Sequence, residues 1–345
     1  MIPLNFIIKY RMKQVINTRD ETIDIAKGIG IIAVVWGHIG EAFMGKNELF
    51  LFHMPLFFIL SGYFFKDEGL TFIEVLKKRI QSYIIPYFIF LIIILTLFIL
   101  LYVSIGYGDR IYLSLGIITH PYGVVVALWF LLSLFEVHIM YYFITKYIHK
   151  DWIKFILGLL CLITSHLIYE GNINIPFYIG SSLSMIIYFH LGYLIHKYRI
   201  LNSSRYCVLI FIFCLLFYIG GILANIETDI MLNKVQGNLC IAFLAAIGGS
   251  YIILYISFLL KEYNKIPIIN SILSYLGQNT LIIFSMHLLC IETARCLFNF
   301  PFAYESTFFD GVYTTIWGIL GSLIIGIPIK KYIFPHIRII KKQAR

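Results

Sequence analysis

Apolar residues arrive along this chain in ten runs, near 25–44, 50–65, 81–105, 123–145, 153–169, 179–196, 206–224, 238–260, 272–291 and 312–330. Runs of about 17–25 residues suit one α-helical crossing of a hydrocarbon core, and only the second is short. The pattern predicts an all-α polytopic integral membrane helical bundle of about ten transmembrane helices. The two terminal segments and alternate connections between the runs hold 22 of the 27 Lys and Arg residues, among them Lys77, Lys78 and Arg79, Lys146 and Lys150, and, at the C-terminal end, Lys330 and Lys331. The other connections hold Lys46, Arg110, Lys234 and Arg295, while Lys27 lies inside the first run. Because cytoplasmic loops carry the excess of Lys and Arg, both termini are predicted to be cytoplasmic.

Composition narrows the class. Hydrophobic residues make up 60% of the chain and charged residues 13%, and the mean hydropathy is +0.87. This leaves too little polar surface to cover a water-soluble fold. The net charge of +9 is accounted for by topology and gives no reason to invoke nucleic acid; the expected surroundings are a lipid bilayer. A signal peptide does not explain the first run, since apolar segments recur along the chain. The six cysteines fall in or beside apolar runs, with no CxxC or Cys/His cluster, so neither a disulfide framework nor a metal site is expected. No linker divides residues 1–345, which read as one domain with a core at 20–332 and no fused soluble domain.

The informative residues are those that interrupt the apolar runs. In DIAKGIGIIAVVWGH, Lys27 and His38 are eleven residues apart, roughly 16 Å of helical rise and within about 20° of one stripe. Ionisable side chains inside a bilayer are costly and mark functional sites by default. The blander reading is that Lys27 snorkels to the interface and His38 caps the far end. With the topology above, His38, His53 in FHMPLFF and His287 in FSMHLL are predicted to meet at one level of the outer half. Glu136 and His138 fall mid-membrane behind LWFLLSLF, which contains Trp129. On the cytoplasmic side, Lys77, Lys78 and Arg79 stand at the entrance of the third run, with Lys27 on the same side. They anchor topology, and equally suit a basic mouth for a phosphate-bearing donor.

DIAKGIGIIAVVWGH followed by FHMPLFFILSGYFF resembles the opening of the acyltransferase family 3 membrane proteins, particularly fucose 4-O-acetylase-like and surface-polysaccharide O-acetyltransferase members. KKRIQSYIIPYF, LWFLLSLF and LGQNTLIIFSMHLL are similar to later landmarks of that family, and the resemblance covers residues 20–330. Its pattern often has Arg where Lys27 stands; Lys keeps the charge without Arg's bidentate fork. The resemblance implies transfer of an acetyl (acyl) group from cytoplasmic acyl-CoA, as donor substrate, to a hydroxyl of a cell-surface or lipid-linked glycan acceptor, by a multi-pass protein of a bacterial inner or plasma membrane. His38 would be the general base or a transient acyl carrier, with Asp24 orienting the Lys27 ammonium and Glu41, alternatively, orienting the imidazole. His287 and Glu136 would line the chamber or relay a proton. Arg79, Lys78 and Lys27 would hold donor phosphates. His53 and Trp129 would face substrate, and Ser61, Asn279 and Ser285 are candidate oxyanion donors. No permanently bound cofactor is implied. The competing class is a transporter of a glycan or lipid-linked substrate, but the internal repeat typical of carriers is not evident.

Overall fold

A computed structural model describes residues 20–39, 45–67, 69–104, 106, 122–173, 175–202, 204–298 and 308–335; Glu41 and Arg110 lie outside them. The helices are α1 (Glu21–Gly37), α2 (Lys46–Tyr63), α3 (Phe72–Arg79), α4 (Ile85–Ser104), α5 (Trp129–Tyr147), α6 (Asp151–Glu170), α7 (Ile179–Lys197), α8 (Ser204–Leu223), α9 (Leu239–Tyr263), α10 (Pro267–Gln278), α11 (Thr280–Phe298) and α12 (Phe308–Pro328). A π-helical turn, Ile80–Ile84, joins α3 to α4, and a 3₁₀ segment, Gly123–Leu128, leads into α5. A short antiparallel hairpin, β1 (Glu227–Asp229) and β2 (Lys234–Gln236), connects α8 to α9.

Every predicted apolar run falls on a helix, and the all-α class holds. Six helices among the described residues are long and apolar enough to cross a membrane, seven if α10 and α11 form one span. The helices below that measure include α1 and α2, and they are interior. From Leu51 to Leu60 every residue of α2 is buried, and α2 packs on α1, α7 and α9. The segment Phe72–Ser104, by contrast, has hydropathy 3.1 with only 28% buried. Helices that meet helices tolerate polar groups that a lipid-facing helix does not.

The ninth run, expected to be one straight span, is broken. α10 and α11 meet at Asn279 with a bend of 81°. Asn279 leaves helical geometry (φ −113°, ψ 15°), its side-chain amide donates to the Tyr275 carbonyl, and Thr280 Oγ1 donates to Gly277. Short polar side chains that bond nearby carbonyls compete with the helical ladder in this way. Close packing fixes where α10 goes: a Cβ at Gly277 would overlap the Asp24 carbonyl, and one at Gly28 would overlap that of Leu273. Glycine is required there by the approach of two backbones. The same holds where Gly62 and Gly192 seat α2 against α7.

Candidate active site

Three imidazoles meet where the C-terminus of α1, the N-terminal half of α2 and the middle of α11 converge. The ring centroid of His38 lies 5.1 Å from that of His287 and 6.4 Å from that of His53. Phe50 packs against His53 at 4.7 Å and His38 at 5.6 Å. Each ring is held by its own helix: His38 Nδ1 bonds the Val34 carbonyl at 2.7 Å, His53 Nδ1 that of Leu49 at 2.8 Å, and His287 Nδ1 that of Phe284 at 2.8 Å. A carbonyl only accepts, so each Nδ1 carries the proton and each Nε2 presents a lone pair. Among the described residues, Nε2 of His287 is buried without a hydrogen-bond partner, as is Oγ of Ser285, two residues earlier and roughly 200° around the same helix. His53 and His287 are 2% and 0% exposed, and His38, of intermediate burial, is the least buried residue of the three.

The backbone beside His38 is pinned by a residue that hydropathy hides. Arg295 of α11 donates to the Ile39 carbonyl at 2.6 Å and pairs with Glu292 at 3.5 Å; Glu292 also accepts from Tyr102. The hairpin closes the same end of the bundle: Thr228 donates to the Phe50 carbonyl, and the charges of Lys46 and Asp229 reach His38.

The opposite end of α1 and α2 carries the ionic cluster. Lys78 and Arg79 both donate to Asp67, whose side chain is fully buried; Lys78 Nζ lies 2.5 Å from Oδ1 and Arg79 Nε 2.8 Å from Oδ2. Burial pushes the Asp67 carboxyl up, but the hydrogen bonds and charges of Lys78 and Arg79 outweigh it and hold the group below its ordinary 3.8. Lys27 lies at this end, its ammonium 4.9 Å from the centre of the Phe64 ring. Asp24 accepts from Gln278 at 3.4 Å.

Several expected members stand elsewhere. Ser61 contacts His138 Nε2 at 3.5 Å, eight residues and roughly 12 Å of rise from His53. Tyr83, delivered by the π-turn, contacts the same nitrogen at 3.5 Å; such turns recur at functional sites. His138 itself repeats the Nδ1-to-backbone arrangement through Leu134. Asn279 sits at the α10–α11 break, where its Oδ1 accepts from Lys330 at 2.7 Å, well below His287 on the helix. Glu136 accepts from Ser182 Oγ at 2.6 Å and from the Tyr178 amide at 3.5 Å. Trp129 packs against Tyr178 at 5.6 Å. Glu136 and Trp129 thus serve the α5–α7 seam and are separate from the three imidazoles. Among the described residues no group of three or more His, Cys, Asp or Glu is arranged to hold a metal ion.

Comparison with known proteins decides the class. Residues 20–330 match the model of the acyltransferase domain family, nearly the whole chain. The chain belongs to that family. A segment of 58 residues is 41% identical to the nodulation protein NolL of Sinorhizobium fredii (strain NBRC 101917 / NGR234), a match covering 14% of this chain and 16% of that protein. The match spans about a sixth of NolL's length; the family is one of acyltransferases, and the long apolar helices of this chain fit a multi-pass membrane member of it. The resemblance read from the opening motifs is therefore shown.

Proposed function

We propose that this acyltransferase moves an acetyl or similar acyl group from cytoplasmic acyl-CoA to a hydroxyl of a cell-surface or lipid-linked glycan, with His38 as general base. In this reading the chain crosses a bacterial plasma membrane about ten times with both termini inside, so the imidazole cluster lies toward the outer face and the Asp67 cluster toward the cytoplasm. The observation that carries the proposal is the cluster of three imidazoles of one tautomer, in which His38 is the least buried residue and its Nε2 is left to accept a proton. A sugar hydroxyl is a poor nucleophile. As its oxygen attacks the thioester carbonyl, His38 Nε2 takes its proton. The tetrahedral oxyanion needs a donor, for which Ser285, with a buried hydroxyl that has no partner among the described residues, is the candidate carried by the helix of His287. Collapse of the intermediate breaks the C–S bond, and the leaving thiolate takes the proton from His38.

The donor reading of the inner end rests on chemistry and reach. Arg79, Lys78 and Lys27 are cations on one mouth, and phosphates are their usual partners. Lys27 to His38 spans eleven residues of α1, roughly 16 Å, comparable with an extended pantetheine arm. Phosphates at the inner mouth would thus place the thioester beside His38. Asp67 now occupies Arg79 and Lys78, so donor phosphates would have to share or displace it. The test is transfer of labelled acetyl from acetyl-CoA by the purified chain in nanodiscs. His38→Ala is expected to abolish it, and sustained transfer by that variant would sink the base assignment.

A further inference from the structure

The broken ninth run leaves a short helix whose polarity is turned inside out. Along α10, Ile268, Ile272 and Tyr275 form one stripe at helical spacing and are 68%, 53% and 47% exposed, with Ile269 exposed beside them. The opposite stripe, Asn270, Ser274 and Gly277, is buried against the protein. Water outside the helix would favour the reverse arrangement; hydrocarbon favours this one.

The direction of α10 and the charge at its ends narrow the surroundings further. α11 runs along α12, with Ile282 against Gly326 and Ile291 against Gly318, and α12 is among the helices able to cross a membrane. α10 leaves that direction by 81°. Its 12 residues, roughly 18 Å of rise, are too few to cross a hydrocarbon core. Exposed lysines stand at both ends. Lys265 precedes Pro267 by two residues, and Lys331 follows Lys330, whose ammonium donates to the Gln278 carbonyl. Ammonium groups avoid hydrocarbon, so a short helix with one at each end runs along an interface. Exposed Tyr263 and Tyr332 flank the same ends, as is usual at headgroup depth. Glu262 is the single carboxylate in segments 261–278 and 329–335, and it pairs with Lys261 at 3.9 Å; Asp24 lies on the packed face, accepting from Gln278. Positive charge is therefore in excess.

We propose that α10 is an interfacial helix that binds anionic phospholipids, its isoleucines among the acyl chains and Lys265 and Lys331 on the headgroup phosphates. Helices of this kind combine burial of an apolar face with attraction between basic residues and anionic lipid. The anchor reaches into the bundle. Gly277 and Gly28 bring the backbones of α10 and α1 together, and the Asn270 amide ties the start of α10 to the Leu260 carbonyl of α9. Lipid bound at α10 thus holds the Lys27 end of α1. The inference rests on the membrane reading of the fold and is independent of the acyl-transfer scheme.

Depth is read on the full chain in nanodiscs, with a nitroxide carried by an unnatural residue in place of Ile268, Ile272 or Tyr275. All three are expected at one depth just below the phosphates, whereas a helix running across the bilayer would spread them by roughly 10 Å. Binding is read by native mass spectrometry of the detergent-purified chain, titrated with phosphatidylglycerol or with phosphatidylcholine of the same acyl chains. The first phosphatidylglycerol should bind more tightly than the first phosphatidylcholine. Lys265→Gln and Lys331→Gln should each weaken phosphatidylglycerol about fivefold and leave phosphatidylcholine unchanged. A spread of depths, equal affinity for the two lipids, or phosphatidylglycerol binding that both variants leave intact would overturn the proposal. Spin–spin broadening between copies labelled at position 272 would also overturn it, by assigning the face to a second chain. Neither readout involves acyl transfer, so failure here leaves the transferase scheme untouched and failure there leaves the anchor standing.

Discussion

The two ends of α1 carry polar clusters built on opposite terms. At the Asp67 end, charge is matched: one buried carboxylate takes hydrogen bonds from Lys78 and Arg79. At the His38 end, three imidazoles are neutral by construction, each with one nitrogen satisfied by its own helix and, for buried His287, the other unsatisfied. A buried ion cluster with every partner in place holds charge and position. An unsatisfied lone pair in a protein interior costs free energy. On the proposed mechanism, one helix separates a place that binds charge from a place that moves a proton.

The sharpest way to break this comparison is kinetic. His38→Ala should lower kcat by about 10²–10⁴-fold, with little change in the KM for acetyl-CoA, whereas Arg79→Ala should act mainly on that KM. Initial rates of labelled-acetyl transfer check it, and the contrast is lost if both variants move the same parameter. The next largest effect is on stability. Asp67→Ala leaves Arg79 buried beside no carboxylate and should cost about 3–5 kcal/mol, read from unfolding in detergent.

The pH dependence of that stability follows from the same group. Its folded value lies below the ordinary 3.8, so the folded chain releases the proton more readily than the unfolded one. The stabilisation is fully present above the ordinary value and is lost as pH falls through the lowered folded value. Asp67→Asn should flatten this acid limb, and an unchanged limb in unfolding scans would reassign it. Arg295→Leu, which frees the Ile39 carbonyl, should lower kcat several-fold without moving the acetyl-CoA KM, because it acts through the position of His38. Smallest is Ser61→Ala: its 3.5 Å contact with His138 is long, and the loss should stay within about 1 kcal/mol.

Legibility followed the range of each interaction. The helices could be read because burial in lipid imposes a local signature of length and composition, and the meeting of His38, His53 and His287 could be read because the alternating direction of successive helices assigns each residue a depth. Asp67 escaped notice because its partners lie eleven and twelve residues on, across a turn. The break at Asn279 was hidden because LGQNT differs from its neighbours only in short polar side chains, while its cause is the close seating of α10 on α1. Glu136 looked like a member of the reaction chamber, since depth says nothing of which way a helix faces.

The amino-acid sequence by itself determined a multi-helix membrane protein, its family, and the two residues, Lys27 and His38, that divide α1 into unlike ends. These depend on local composition and on spacing along one helix, which a chain carries whether folded or not. Only the tertiary structure decided that Lys78 and Arg79 are held by Asp67, that His38 is the least buried of three clustered imidazoles, and that the ninth apolar run breaks at Asn279. Those depend on rotation about helix axes and on which backbones approach closely, and both are set by packing between segments far apart in the chain.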